Sequence, residues 1–458
     1  MADTTFTFVI EHLIDVPGRI GADFHVHSMA SRDARGRSVR YNLTYPIGTH
    51  RIIDYLTAGI EVIVSSDHSQ IINYDPFIQE FAGEIGQLDG FSPEYITEKI
   101  ASIAGNEFNL YIQREGGPPD CPPPPPIENA HFNIWPLEEG PSPMPCDDVF
   151  RQPATLYDMA RNLDPDSTDY REVVQLNHPR GAHYEWILPL PGFLGGPQLG
   201  YLYNWDFDPA APIPPTNDGS PNSFLRIESE LSTTQNIDFD AIEILNRNYI
   251  PYYMESRLDW FSLLDQGFRK VATGNTDSHL IFIDGCGYPR NYVASNLVSM
   301  ESFGTSEENA VTDSIIYGDL FATTGPIIDF SIDGMGLGDT VHTDSLGAAE
   351  LPISITVRAA PWVPVDEVRM IVNHIKVFSL DISGTIPDDP FSTELADVVR
   401  FDQVITHNFT GDSWVIVETG IVLPPPGVQP PSTGLFKWLT VNHLPVAFTN
   451  PIFVDISP

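Results

Sequence analysis

Up to about residue 325, short apolar segments of strand length alternate with amphipathic segments of helix length. Strands are expected at "RIGADFHVHS", "IEVIVSSDHS", "ITEKIASIAGNEF", "REVVQLNHPRG", "FDAIEILNRN" and "RKVATGNTDSH". Helices are expected at Thr49 to Leu56, Thr155 to Asn162, Tyr253 to Phe268 and Ser306 to Tyr317. Strands that alternate with helices are normally parallel and joined by crossovers, so the pattern predicts an α/β barrel or a doubly wound sheet.

After Pro326 the chain continues as alternating strand-like segments with turn residues between them and no helical stretch. This pattern predicts a first domain over residues 1–330 and a smaller all-β, sandwich-like domain over residues 331–458. Two proline-rich insertions, 116–129 and 184–223, interrupt the first domain. Each insertion is either a surface loop packed by its own side chains or a lid beside a substrate pocket, and the clustered aromatic residues of the second favour the lid.

Histidine, aspartate and glutamate recur where the expected strands of the first domain end. The carboxyl ends of parallel strands converge on one rim, so these side chains are expected to meet there. His25 and His27, two apart on a strand, project to the same side and form either half of a metal site or a hydrogen-bonded structural pair. The full set of rim candidates is His25, His27, Asp67, His68, Glu107, His131, His178, Glu243, Asn246, Asp277 and His279.

Mixed imidazole and carboxylate ligands suit Zn, Mn, Fe or Ni better than Ca or Mg. The candidates exceed the needs of one tetrahedral ion, so two or three divalent metal ions that share Glu107 are expected. Paired ions lower the pKa of a bridging water and stabilise charge on an attacked centre. The sequence has no Gly-x-Ser-x-Gly elbow, P-loop or dinucleotide fingerprint, which disfavours serine nucleophiles and nucleotide cofactors.

The motifs "DFHVHS" with Asp33 downstream, "SSDHS", "GNEFN" with "HFNIW", "NHPRG" and "GNTDSH" resemble the successive motifs of the PHP (polymerase and histidinol phosphatase) superfamily. The segments "GYPRNYV", "FATTGPII" and "FTNPIFVD" resemble its CehA/McbA branch, named for carbaryl hydrolase. The resemblance covers most of residues 18–330 and, more loosely, the β domain. It implies a distorted (β/α)7, TIM-like barrel with a centre of two or three metals.

The resemblance also implies which side chains hold each metal. By position, His25, His27, Glu107 and Asp277 would hold the first ion. Glu107, His131 and His178 would hold the second, and Asp33, His68 and His279 the third. Asp33 stands where the superfamily often has histidine, and the 116–129 insertion lengthens the usual gap between Glu107 and His131.

Other polar rim residues have two readings each. Asp67 either orients a ligand or binds a metal directly. Arg180 stabilises an oxyanion or a phosphoryl oxygen, or else pairs with an acid; His183 donates a proton to the leaving group, or is merely an exposed loop histidine. Glu243 and Asn246 are expected to hydrogen-bond the ligands or the substrate. The residues expected to act in catalysis are Glu107, Asp277, Arg180 and His183.

The chain has 62 acidic and 23 basic residues, a formal net charge of −39, which disfavours binding to nucleic acid or to an anionic membrane surface. No apolar run is long enough to insert in a membrane, and the first strand-like segment does not read as a signal peptide. The acid excess suits a secreted, periplasmic or salt-adapted protein. Three cysteines leave a Cys121–Cys146 bridge open, and the sequence leaves a homo-oligomer open as well.

Two functions follow from these observations. The first is a metal-dependent hydrolase whose metal-activated water cleaves a phosphoester, phosphotriester, carboxyl ester or carbamate of a small neutral or aromatic substrate. The second is a catalytically inactive, PHP-like binding module whose β domain engages glycans or a cell surface. The near-complete set of ligand-type residues favours the enzyme.

Overall fold

A computed structural model describes most of the chain. The described residues are 14, 16–28, 30–31, 49–68, 70–87, 92–112, 127–141, 148–149, 152–161, 171–181, 200–247, 249–279, 285–297, 299–343, 347–440 and 442–456. Asp33, His183, Cys121 and Cys146 lie outside them, as does most of the 116–129 insertion.

Strands dominate the described residues. They are β1 (Arg19–Val26), β2 (Val62–Ser65), β3 (Gln70–Ile71), β4 (Ala101–Ala104), β5 (Asn106–Ile112), β6 (Ile127–Trp135), β7 (Gly140–Pro141), β8 (Asp148–Val149), β9 (Val173–Leu176), β10 (Ala241–Asn246), β11 (Val271–Asn275), β12 (Arg290–Ala294), β13 (Leu320–Thr323), β14 (Ile327–Ile332), β15 (Thr340–Thr343), β16 (Ala349–Arg358), β17 (Glu367–Val372), β18 (Ile375–Asp381), β19 (Val399–Phe409), β20 (Ser413–Gly420), β21 (Val446–Thr449) and β22 (Ile452–Ile456).

Helices in the described part of the chain are shorter and lie mainly before residue 320. They are α1 (Thr49–Ala58), α2 (Asp75–Ile85), α3 (Glu94–Thr97), α4 (Pro153–Arg161), α5 (Tyr201–Asn204), α6 (Ile250–Asp265), α7 (Thr305–Tyr317) and α8 (Gly434–Leu439). The ends of α7 follow from local chemistry. The Glu307 side chain accepts from the Gly304 amide at the start, and Gly318 ends the helix at φ 81°. None of these helices is both long enough and apolar enough to cross a lipid bilayer.

Two large sheets carry most of the strands. The larger has eleven strands in the order β15-β22-β20-β21-β13-β12-β1-β2-β4, with β17 joined to β20 and β18 to β17. The second has six strands in the order β11-β10-β9-β6-β5-β8. Strand β10 is buried along its whole length, as its near-continuous apolar sequence predicts for a central strand.

The prediction of a distorted (β/α)7, TIM-like barrel followed by a separate sandwich-like domain is wrong. Both large sheets are mixed: β1 pairs parallel with β2 but antiparallel with β12, and β6 is antiparallel to β5 and β9. Strand β21 pairs with β13, so strands on both sides of residue 330 belong to one sheet. Periodicity shows which face of a strand is buried but not the direction in which the strand runs. The parallel pairing was inferred from the alternation of strands with helices, which does not fix strand direction.

The two large sheets meet where β1 ends. The His27 amide donates to the Ser278 carbonyl at 3.0 Å, just beyond the end of β11. Asn133 of β6 donates to the Phe24 carbonyl at 2.9 Å, and the Phe24 amide donates to Asn275 of β11 at 3.1 Å. These buried bonds hold β1 against β6 and β11, and thereby bring the residues at the ends of strands from both sheets together.

Strands β14, β16 and β19 form a separate three-stranded sheet. Its apolar residues share one core with residues of β17, β20, β21 and β22 from the larger sheet. Strands therefore predominate after Pro326, as expected. In that part of the described chain α8, which has six residues, is the one α-helix. The boundary at residue 330 stays a prediction.

Candidate metal centre

Glu107 is the common neighbour of a cluster of buried histidines. Its carboxylate lies within 3.5 Å of ring nitrogens from both large sheets, and Glu107 itself is 1% exposed. The distances run from 3.0 Å for His27 and His131 to 3.2 Å for His25 and His68 and 3.5 Å for His178. One carboxylate thus faces five imidazoles, a ratio that a protein interior does not favour unless a cation is shared among them.

The sequence suggested that Glu107 and His131 follow the ends of strands, but both belong to strands themselves. They sit within the antiparallel pair β5 and β6, where Glu107 is opposite Asn133 and Asn109 is opposite His131. Asn177 also donates to the Glu107 carboxylate at 2.8 Å, which fixes its orientation from the end of β9.

His25 and His27 are oriented by acceptors on their Nδ1 atoms. His25 Nδ1 lies 3.0 Å from the Glu243 carboxylate, so in the neutral ring Nδ1 carries the proton and Nε2 keeps a lone pair for a metal ion. His27 Nδ1 lies 3.0 Å from the Ser31 hydroxyl, whose own hydrogen is donated to Asp67 at 2.8 Å. In neutral His27 the proton is therefore also on Nδ1 and the lone pair on Nε2.

The two Nε2 atoms lie 3.1 Å apart. With both rings neutral, two lone pairs at this distance would repel each other, so the pair calls for a shared cation: a proton on His25, in keeping with the raised pKa of that ring, or a metal ion bound by both. His68 has the same arrangement, because its Nδ1 lies 3.2 Å from the Glu107 carbonyl and its Nε2 faces the Glu107 carboxylate. An acceptor behind each ring with Nε2 turned to a common centre is the arrangement of histidines that ligate metals.

Asp277 closes the cluster from the end of β11. Its carboxylate lies 3.4 Å from His25 Nε2, 3.5 Å from His27 Nε2 and 3.3 Å from His279 Nδ1. Arg247 lies 3.4 Å from the same carboxylate and donates to the Asp277 carbonyl. Burial raises the pKa of Asp277, but the charges of Arg247 and His25 outweigh it and hold that pKa well below its ordinary value.

The charges around His25 are strongly coupled. Burial by itself lowers the pKa of His25, yet Glu107, Glu243 and Asp277 outweigh it and raise that pKa well above its ordinary value. Burial lowers the pKa of His27 as well, and there it prevails. Burial raises the pKa of Glu107, but the neighbouring imidazoles outweigh it and hold that pKa well below the ordinary range. His25 has the largest effect among them. Carboxylates that stay ionised beside imidazoles are suited to a cation.

The carboxylate of Glu243 holds the ligands in place from β10. One oxygen faces His25 and accepts from Asn275 at 3.1 Å. The other accepts the His178 amide at 2.9 Å and the Asn246 side chain at 3.0 Å. Asn246 also lies 3.3 Å from the Asp277 carboxylate. Glu243 and Asn246 therefore hydrogen-bond the ligand candidates, as expected.

Asp67 supports the cluster through hydroxyl and amide donors. It accepts from the Ser28 amide and hydroxyl, both at 2.7 Å, from Ser31 at 2.8 Å and from Tyr74 at 2.9 Å. Asp67 is thus linked to His27 through the Ser31 hydroxyl, a geometry that favours the first of its two roles, orienting a ligand, over direct metal binding.

Four overlapping groups in the described residues bring three ligand atoms within 4.8 Å of one another. These buried histidines and carboxylates can hold metal ions. The sequence predicted nine metal ligands. One of them, Asp33, lies outside the described residues, and the other eight all belong to these groups. The groups are His25 with His27 and Asp277, His25 with Glu107 and His178, His68 with Glu107 and His131, and His27 with His68 and His279.

The expected catalytic arginine points elsewhere. The Arg180 guanidinium donates to both oxygens of Asp259, at 2.6 and 2.5 Å, and to the Phe207 carbonyl at 3.0 Å. This is the acid-pairing alternative, and the expected oxyanion role of Arg180 has no support in the geometry. His183, the expected proton donor, lies outside the described residues.

Sequence reasoning missed Arg247, Ser31 and Asn177. Arg247 follows β10 and has a φ of 55°, a conformation that is rare for a residue other than glycine. A lone arginine after a strand gives no signal in the sequence. Ser31 and Asn177 are one to four residues from expected ligands, and that proximity is the only signal that would have found them.

The described part of the second insertion, residues 200–223, packs some of its aromatic side chains into the core, whereas residues 214–221 are largely exposed. Tyr201 and Leu202 are fully buried. The ring of Trp205 stacks on Phe224 at 5.5 Å between centroids. This half of the insertion follows the self-packed alternative, whereas residues 184–199, which would have to form the lid, lie outside the described residues.

No known family model matches the sequence, and no curated protein matches it. Among solved structures, the chain is similar to the CARDB domain of the PF1109 protein from Pyrococcus furiosus, solved as a crystal structure in complex with di-metal ions. That match has 16% identity and a TM-score of 0.15, and covers 29% of this chain and 96% of the other. A solution structure of the same domain matches with the same identity and TM-score and is covered to 98%. A TM-score this low does not establish a shared fold.

Proposed function

We propose that this chain is a metal-dependent hydrolase that cleaves an ester-type bond in a small neutral or aromatic substrate. The observation that carries the proposal is the centre built around Glu107, where His25, His27 and His68 turn their Nε2 atoms toward one buried carboxylate and bond an acceptor through Nδ1. The order of the sequence motifs, which resembles that of the PHP superfamily, supports the same chemistry.

The donor set fits two or more divalent ions. Histidine nitrogens with bridging and terminal carboxylates suit Zn, Mn or Fe. His25, His27 and Asp277 would hold one ion; His131 and His178 would hold another, with Glu107 between the two. His68 and His279 face the same centre from the side of His27. When bound, such ions lower the pKa of a water and stabilise charge on the attacked centre.

The residues of the chain perform the remaining tasks. Glu243, Ser31 and the Glu107 carbonyl keep three imidazoles in the tautomer that presents Nε2. Arg247 holds Asp277 ionised and in place. His68 and His131 are 8% and 6% exposed, whereas His25 and His27 are fully buried. His279 is also partly exposed, so substrate would approach the centre from the side of His68, His131 and His279.

The substrate class follows from charge. A chain with a formal net charge of −39 repels polyanionic substrates, so a neutral phosphotriester, aryl ester or carbamate is favoured over a polyphosphate.

The test measures metal content and turnover together. Wild-type protein is expected to contain divalent metal by elemental analysis and to hydrolyse members of a panel of nitrophenyl esters and phosphoesters. Glu107→Gln should lose both metal and turnover. Glu308→Gln, which alters a partly buried carboxylate on α7 outside the cluster, should keep both.

Full turnover after exhaustive chelation and metal-free dialysis would refute the proposal. Metal without turnover across the whole panel would instead favour the alternative of an inactive binding module.

A further inference from the structure

The loop that follows β9 holds His178 in a strained conformation. His178 has a φ of 25°, near the left-handed region that residues other than glycine rarely adopt. Its carbonyl accepts from the Gly181 amide at 2.7 Å, which closes the turn. Such a conformation persists only where the surrounding structure over-determines it.

Arg180 ties this turn to helix α6. Its two hydrogen bonds to Asp259 are bidentate, and Asp259 is fully buried. A bidentate guanidinium–carboxylate pair fixes direction as well as distance. Gly200 closes the other side of the turn, because a Cβ there would lie 2.3 Å from the Gly181 nitrogen and 2.5 Å from the Arg180 carbonyl carbon.

Helix α6 is itself anchored on its opposite face. Tyr253 and Arg257, one turn apart, bind Glu418 of β20, with Tyr253 at 2.9 Å and the Arg257 Nη2 at 2.8 Å. Arg369 of β17 binds the same carboxylate at 2.7 Å. Residues 257 and 259 point to opposite sides of a helix, so buried ion pairs hold α6 between the large sheet and the His178 turn.

We propose that the Arg180–Asp259 pair is a positioning device that sets His178 against Glu107 and thereby raises the affinity of the centre for the ion these two residues would share. The inference rests on the proposed metal centre. Arg180 acts through His178 and is not a catalytic residue. The pair also gives the strands after residue 330 a part in the site, because Glu418 holds the helix that carries Asp259.

A double-mutant cycle with metal affinity as its readout tests this role. Zn²⁺ dissociation constants are measured by competition with a chromophoric chelator for wild type, Asp259→Asn, His178→Ala and the double variant. Asp259→Asn should weaken the affected ion by about 10- to 100-fold, the usual effect of losing a residue that supports a ligand. In the His178→Ala background the same change should alter affinity by less than about twofold, because the residue it positions is gone.

Equal losses in both backgrounds would overturn the proposal, since they would show that the pair acts through general stability. Arg180→Lys keeps the charge but loses the bidentate geometry, so it should weaken Zn²⁺ less than Asp259→Asn, and it serves if the latter does not fold. Asp329→Asn removes an exposed partner of Arg358 and should leave the affinity unchanged. If the wild type binds no Zn²⁺, the proposed function itself is refuted. If the wild type binds Zn²⁺ and Asp259→Asn binds it equally well, only this inference is refuted.

Discussion

The Nε2 atoms of His25 and His27 lie 3.1 Å apart, and in the neutral rings each carries a lone pair because its own Nδ1 donates to an acceptor behind the ring. This relationship depends on Glu243 for one ring and on Ser31 for the other. Each acceptor can be changed without altering a ligand, and the two changes give separate predictions.

Glu243→Gln should lower metal affinity by about 10- to 100-fold. The amide of glutamine can donate to His25 Nδ1, which would move the ring proton to Nε2 and block the position that faces the metal. The measurement is the Zn²⁺ dissociation constant by calorimetry, with Glu308→Gln as the matched control. An unchanged constant would show that Glu243 does not set the tautomer.

Ser31→Ala should lower metal affinity by about tenfold, because His27 Nδ1 loses its acceptor and its link to Asp67. Ser66→Ala is the control, since Ser66 is also a buried serine but bonds the Val26 backbone instead of a ligand. Equal affinities for the two variants would contradict the role given to Ser31.

Removal of metal should destabilise the folded chain. An ion present at one hundred times its dissociation constant stabilises the native state by about 2.7 kcal/mol, so chelation should lower the melting temperature by a few degrees. Differential scanning calorimetry with and without chelator measures the change, and Zn²⁺ should restore it. Glu107→Gln should melt at the same temperature in both conditions; a chelator effect of wild-type size in that variant would contradict the assignment.

Much of the element pattern could be predicted from the sequence, because burial and periodicity are local. Helix α7 begins one residue before its expected start and ends at the expected Tyr317. Helix α6 was expected from Tyr253 to Phe268 and runs three residues earlier. Strand direction is not local, so the antiparallel pairing of β1 with β12 was missed and the barrel prediction failed.

The clustering of the ligand candidates was predictable because histidine and carboxylate are informative residues when they recur after apolar strands. The positioning groups were not. Arg180 and Arg247 both follow strands with ligands nearby, yet one binds Asp259 and the other Asp277. The different partners of Arg180 and Arg247 follow from where α6 and β11 lie relative to each other. That placement depends on contacts between distant parts of the chain.

Glu418 should make the protein sensitive to acid. Burial raises the pKa of Glu418, but Arg257 and Arg369 outweigh it and lower the pKa to about 2. Because the folded pKa is below the unfolded value, this stabilisation is complete above about pH 4.5 and is lost as the pH falls toward 2. The contribution is on the order of 3 kcal/mol.

Urea unfolding followed by circular dichroism at several pH values between 2 and 5 measures this slope. Glu418→Gln should be less stable than wild type at neutral pH by about 3 to 5 kcal/mol and should show a shallower fall in acid. A variant whose stability falls with acid as steeply as that of wild type would contradict the assignment.

The ligand candidates extend along the chain from His25 on β1 to His279 after β11, and the sheet that contains β1 is completed by β22 at Ile452–Ile456. A nascent polypeptide therefore cannot present the whole set to a cation until residue 279 has left the ribosome. Contacts between such distant segments form slowly, so the proposed centre would take up metal only in the last stages of maturation. Shortage of the ion during synthesis would accumulate a folded but unloaded form rather than halt the chain partway.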